Sequence, residues 1–142
     1  MNDIEFSITT RPFQNGDRKN VIDLWKSCAL VVPWNDPEKD IDAKVGFQPE
    51  LFLVGELDGK IVASVMAGYE GRRGWINYLA VLPDLQGRGI GKRIMEEAEK
   101  KLKNLGCQKI NLCVRTSNES VIGFYEHLGF SVDEVVCMGK RL

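Results

Sequence analysis

The sequence is short of the residues that usually announce a metal or redox centre. It holds one histidine, His127, and its four cysteines (Cys28, Cys107, Cys113 and Cys137) form no CxxC pair. A zinc set needs several Cys or His ligands at short spacings, so no metal is expected. Scattered thiols of this kind read as small buried or half-buried apolar side chains in a reducing compartment. Excess charge is lacking too: 19 Lys and Arg stand against 20 Asp and Glu, a net charge of -1. Without a positive field, neither nucleic acid nor an anionic membrane is expected as the main partner. Apolar runs such as Leu51–Val54 fall far below the ~20 residues of a membrane helix. The acidic start Met1-Asn2-Asp3-Ile4-Glu5 lacks a leader pattern, which points to a cytoplasmic protein. There is no repeat or low-complexity tract, and 142 residues suit one domain, 1–142.

What is present is an alternation of strand and helix signals. Residues 4–10 alternate apolar and polar, as a half-buried strand does. After the turn Asn15-Gly16-Asp17, Val21, Leu24, Trp25 and Cys28 form a helical stripe. Pro33-Trp34-Asn35-Asp36-Pro37 ends it, and a short helix is expected over 38–44. Strands are expected over 51–57 and 60–69, joined by the hairpin signal Asp58-Gly59. The turn Gly71-Arg72-Arg73-Gly74 leads to a strand over 75–81. Ile90, Ile94, Ala98, Leu102 and Leu105 share one helical face, and Gly106 stops that helix. A strand over 109–114, a helix over 119–128 and a final strand from Phe130 to about Met138 complete the chain. Three consecutive antiparallel strands followed by βαβ crossovers predict a mixed α/β fold.

The stretch from Leu79 to Lys92 carries the chemistry. It runs from a strand through a Pro-containing turn and a Gly-rich loop into a helix. Gly87, Gly89 and Gly91 remove Cβ atoms where that helix begins. The first helical N–H groups have no intrahelical acceptor, and the helix dipole adds about half a positive charge there. Together these make an anion site suited to a pyrophosphate, with Arg88 and Lys92 adding side-chain charge. A Walker A loop does not fit, because Gln86 replaces the required Gly and Arg93 follows the Lys. A dinucleotide fingerprint fits poorly, since the pattern is GxGxG and follows three antiparallel-type strands. A tight turn without a ligand is the competing reading of a lone GxG.

Gln86-Gly87-Arg88-Gly89-Ile90-Gly91 resembles the Q/R-x-x-G-x-G/A signature of the GNAT superfamily of N-acetyltransferases. Asn118, Phe124-Tyr125 and Gly129-Phe130 match its later segment, so the resemblance covers nearly the whole chain. Val32–Pro37, with Asp40-Ile41 behind it, is similar to a small bacterial YpeA-type subgroup. The resemblance implies a central mixed, mostly antiparallel sheet, splayed between strands 4 and 5, with helices on both faces. It implies acetyl-CoA as donor, with Leu79, Ala80 and Val81 binding the pantetheine arm through main-chain groups. It further implies that Gln86, Gly87, Arg88, Gly89, Ile90, Gly91 and Lys92 surround the pyrophosphate. Asn118 would contact pantetheine, and Tyr125, two helical turns on, would lie near the thioester sulfur. A phenol there can protonate the departing thiolate.

The acceptor is expected to be an amine, and its ammonium must lose a proton to a base or a water chain. Ribosomal-protein N-terminal acetyltransferases of this superfamily carry a Glu on the strand where Cys113 stands here. Glu70 is the candidate base, with Asp36 and Asp40 as further candidates; each also reads as a surface acid. Trp34, Asn35 and Asp36 are candidate acceptor-binding residues, and Trp34 reads equally as a cap on the core, like Trp25 and Trp75. The reading is an acetyltransferase, monomeric or homodimeric, that passes acetyl directly from acetyl-CoA to an amine. A non-catalytic acyl-CoA sensor and another nucleotide-binding protein remain open alternatives.

Overall fold

The structure, a computed structural model, describes residues 7–142. It divides into two compact units, Met1–Asn111 and Leu112–Leu142. The first holds the strands β1 (Thr9–Pro12), β2 (Phe52–Leu57), β3 (Lys60–Tyr69), β4 (Gly74–Val81) and β5 (Ile110–Asn111). Its helices are α1 (Arg18–Ser27), α2 (Pro37–Val45) and α3 (Ile90–Asn104). The second unit contains α4 (Glu119–His127). The sheet order is β1-β2-β3-β4-β5, with the first three pairings antiparallel and the last parallel.

Both faces of the sheet are covered. Alternation along β2 sends Phe52 and Val54 to one face, where they pack with Val21, Leu24 and Trp25 of α1 and Ile41 of α2. The opposite face meets α3: a Cβ on Gly55 would lie 3.8 Å from Ile94 Cδ1. Buried Ile90, Ile94, Ala98 and Leu102 form the α3 stripe that the spacing predicts. The β2–β3 hairpin turns through Asp58 (φ 52°) and Gly59 (φ 77°), both left-handed as a type I′ turn requires.

Several local expectations need correction. The first strand begins at Thr9, and the start of the expected one, residues 4–6, lies outside the described residues. The strand expected over 109–114 is reduced to Ile110–Asn111. No strand follows Phe130: adjacent Asp133 and Glu134 interrupt the valines, and Val135 N–H bonds back to Asp133 O (2.9 Å), bending the chain out of extended geometry. Trp25 is core, but Trp34 (54% exposed) and Trp75 (39%) are not. Cys107 is buried and Cys28 half-buried as expected, whereas Cys113 and Cys137 are exposed.

Candidate active site

β4 is the element on which the site is built. It pairs with β5 only where Gly74 opposes Ile110 and Trp75 opposes Asn111. Pairing stops there because β5 ends at Asn111, so the remaining β4 edge on that side has no strand partner among the described residues. On its other edge the register to β3 slips: Met66 opposes Asn77 but Ser64 opposes Ala80. Val65 therefore faces both Tyr78 and Leu79, a β-bulge that twists the strand as it leaves β5.

Tyr78 carries the bulge with φ 50°, a left-handed conformation costly for a bulky residue. Such strain, of order 1–3 kcal/mol, persists only where neighbours over-determine it. Ser64 Oγ donates to Tyr78 O (2.8 Å) and accepts from the Trp25 indole N–H (2.9 Å). The Trp25 and Tyr78 rings stack at 3.8 Å. The Tyr78 hydroxyl donates to Asp40 Oδ2 (2.6 Å). Burial, seconded by Asp40, pushes the Tyr78 phenol well above its ordinary range, so it stays protonated. Nothing in the sequence marks Tyr78, since the usual sign of positive φ is Gly or Asn.

After Val81 the chain turns through Pro83–Leu85 into the glycine loop. Gln86 Nε2 donates to Val81 O (3.0 Å), pinning the loop to the strand end. Gly89 (φ 84°) is the N-cap of α3, and no side chain caps the helix. A Cβ built on Gly87 would meet nothing within 4 Å. Arg88 and Lys92 are exposed. The α3 start is thus an open, uncapped helix N-terminus beside an unpaired strand edge. An extended amide chain ending in a pyrophosphate fits both features, the arm along the edge and the anion at the helix.

On the other side of β4 lies an open cleft of about 660 Å³, lined in part by Asn35, Asp40, Lys44, Phe47, Asn77 and Tyr78. Of the residues expected to bind the acceptor, Asn35 lines this cleft. Asp36 caps α2, its carboxylate accepting from the N–H groups of Glu38 (2.9 Å) and Lys39 (3.4 Å). Glu70 accepts from the backbone N–H groups of Arg72 (2.5 Å) and Arg73 (2.6 Å), which close the β3–β4 turn and hold its carboxyl below the usual range.

In the second unit, Asn118 is exposed at the N-cap of α4. Tyr125 is buried, its ring edge-on to Phe124 (5.2 Å) and Phe130 (5.5 Å). Burial pushes its phenol up to about 12. Cys113 Sγ stands 3.4 Å from Cys137 Sγ, and that contact raises the Cys113 thiol. His127 is exposed at the end of α4.

Comparison with known proteins agrees with this geometry. Residues 18–130 match the model of the Acetyltransferase (GNAT) family. An acetyltransferase of Yersinia enterocolitica is 50% identical over 132 residues, covering 93% of this chain and 94% of its own. An acetyltransferase of Pectobacterium atrosepticum matches with the same identity and coverage. Among solved structures, the ribosomal-protein-S18-alanine N-acetyltransferase from Escherichia coli superposes with a TM-score of 0.73 at 26% identity, over 87% of this chain and 77% of that one. AAC(6')-Iy, in complex with the bisubstrate analog CoA-S-monomethyl-acetylneamine, has the same fold, with a TM-score of 0.78 at 17% identity over 95% and 99%. By its match to the family model and to relatives of 50% identity along nearly its whole length, the chain belongs to the acetyltransferase (GNAT) family.

Proposed function

We propose that the chain transfers acetyl from acetyl-CoA directly to the amine of an acceptor, a small molecule or a peptide. The observation that carries this reading is the pairing of an unpartnered β4 edge with an uncapped α3 N-terminus. Acetyl-CoA supplies the activated thioester. The main chain of Leu79, Ala80 and Val81 holds the pantetheine amides as a further strand would. Backbone N–H groups from Gly87 to Lys92 take the pyrophosphate, with Arg88 and Lys92 adding charge that salt will screen. Asn118 assists at pantetheine.

As the thioester C–S bond breaks, Tyr125 gives its proton to the departing thiolate, while the acceptor ammonium releases its protons to a water chain, one of them restoring the phenol. The phenol carries its proton at neutral pH, as the donor in that step must. The protonated Cys113 thiol favours direct transfer over an acetyl-cysteine route, since the thiolate is the nucleophilic form. Glu70 serves the turn rather than the proton transfer, as its carboxylate is already engaged and its basicity reduced. Trp34 and Asn35 border the acceptor side. Rate comes mainly from holding amine and thioester together.

Calorimetric titration with acetyl-CoA tests the reading. The wild-type chain binds, and Gly89→Val, which sets a β-branched side chain at φ 84°, loses binding while circular dichroism still reports the fold. Undiminished affinity in that variant would remove the loop from the site.

A further inference from the structure

We propose that Lys44 reads a carboxylate on the acceptor, so that the amine acetylated by this chain is a small molecule or peptide end bearing an anionic carboxyl group. The proposal rests on the amine-acetyltransferase reading above and assigns the substrate class of its cleft.

Lys44 is 8% exposed, and its ammonium has neither a hydrogen bond nor an ion pair among the described residues. Asp40 stands one helical turn earlier on α2, a spacing at which acid and base ordinarily close a salt bridge. Here they do not, and the Asp40 carboxylate instead accepts from the Tyr78 hydroxyl at 2.6 Å. The nearest features of Lys44 Nζ are the Phe47 ring, 5.5 Å to its centroid, and Gly68, where a Cβ would lie 3.6 Å away. The stem of Lys44 is buried while its Nζ, without a hydrogen bond, still reaches the open cleft, so the ammonium is presented to whatever enters there. Burial lowers the Lys44 pKa, with the charge of Glu50 opposing it. An anion entering the cleft supplies the missing partner through charge-assisted hydrogen bonds.

The cleft has the volume of a small-molecule site, and Asn77 and Tyr78 join it to the bulge. Asp40 lies on the same wall, so opposite charges line the space. A molecule carrying both an ammonium and a carboxylate complements that pattern, whereas a plain polyamine meets Lys44 with like charge.

The test compares matched acceptors by release of the CoA thiol: L-ornithine against putrescine, L-lysine against cadaverine, and a tripeptide with a free C-terminal carboxylate against the same tripeptide amidated at its C-terminus. The first two pairs report a free amino acid and the third a peptide as the source of the carboxylate. In at least one pair the carboxylate-bearing member is preferred by about tenfold in kcat/KM, as one charge-assisted contact implies. In Lys44→Met the same ratio falls to within about twofold, through KM. Ratios near one in every pair of the wild type, no transfer to any member although acetyl-CoA binds, or an unchanged ratio in Lys44→Met would each overturn the proposal. Acetyl-CoA titration and a donor-independent measurement separate this failure from failure of the acetyltransferase reading. In the latter, acylation of Lys44 by acetic anhydride is followed by mass spectrometry. Protection by the carboxylate-bearing member alone supports the site even where acetyl-CoA does not bind, and equal protection by both members of each pair counts against it.

Discussion

The corner where β1 meets α1 and the cleft between α2 and β4 both enclose charge, and they treat it in opposite ways. At the corner, Arg11 donates to both carboxylate oxygens of Asp17 (2.7 and 2.9 Å) and also to Glu56. Asp17 additionally accepts from the Gln14 N–H (2.8 Å). Every charge there has a partner of opposite sign, and the group ties the chain entering α1 to β2. In the cleft, Asp40 is engaged by a neutral phenol and Lys44 by no counter-ion. Saturated charge marks a structural device, while charge left unsaturated beside a cavity marks a surface shaped for something that is not part of the chain.

The strongest way to break this contrast is at the saturated corner. Asp17→Ala leaves Arg11 with Glu56 alone and frees the Gln14 N–H, and should lower stability by about 2–3 kcal/mol in urea unfolding. The pH dependence has a definite sign. The Arg11 guanidinium, the largest cause, holds the Asp17 carboxyl below its ordinary 3.8. Its stabilisation is therefore complete above that value and fades as pH falls through the lower folded value. Asp17→Asn should flatten that acid limb; an unaltered limb would assign acid sensitivity to other carboxylates.

Ser64→Ala should have the next largest effect, because one hydroxyl serves both the buried Trp25 indole and the strained Tyr78 carbonyl. Leaving the indole N–H unsatisfied costs about 1–3 kcal/mol. The bulge also loses one of its restraints, so affinity for acetyl-CoA should fall along with stability. A variant that is less stable but binds acetyl-CoA as before would show that the bulge is held without Ser64.

What could be read in advance follows the same division. Periodicity locates the hairpin at Asp58-Gly59 and the α3 stripe, because each is decided within a few residues. The glycine loop is legible for that reason as well. Glu70 looks like an available acid in sequence and becomes a turn acceptor only once the Arg72 and Arg73 amides curl onto it. Tyr78 gives no local sign of its positive φ, since Ser64, Trp25 and Asp40, which impose it, are distant in sequence. Lys44 falls at the end of the short helix expected over 38–44, and nothing local in the sequence marks its burial. The β-branched residues Val132, Val135 and Val136 after Phe130 suit a strand by composition, but composition does not provide an edge to pair with.

The smallest expected effect is also the most discriminating, because it is a gain. Lys44→Met replaces an uncompensated ammonium by an apolar side chain of similar length. It should stabilise the chain at neutral pH by about 0.5–1 kcal/mol, the lower part of what single stabilising substitutions reach. The sign again follows from linkage. Burial holds the folded Lys44 below its ordinary 10.5, so the unfolded chain binds the extra proton more tightly. The penalty is present in full below the folded value and disappears as pH rises through 10.5. The advantage of Lys44→Met in melting temperature should therefore shrink between neutral and strongly alkaline pH, where the wild-type amine is neutral in both states. A partnered structural lysine predicts the reverse, a loss of stability at neutral pH. The melting curve thus distinguishes a lysine kept for the fold from one kept at the fold's expense.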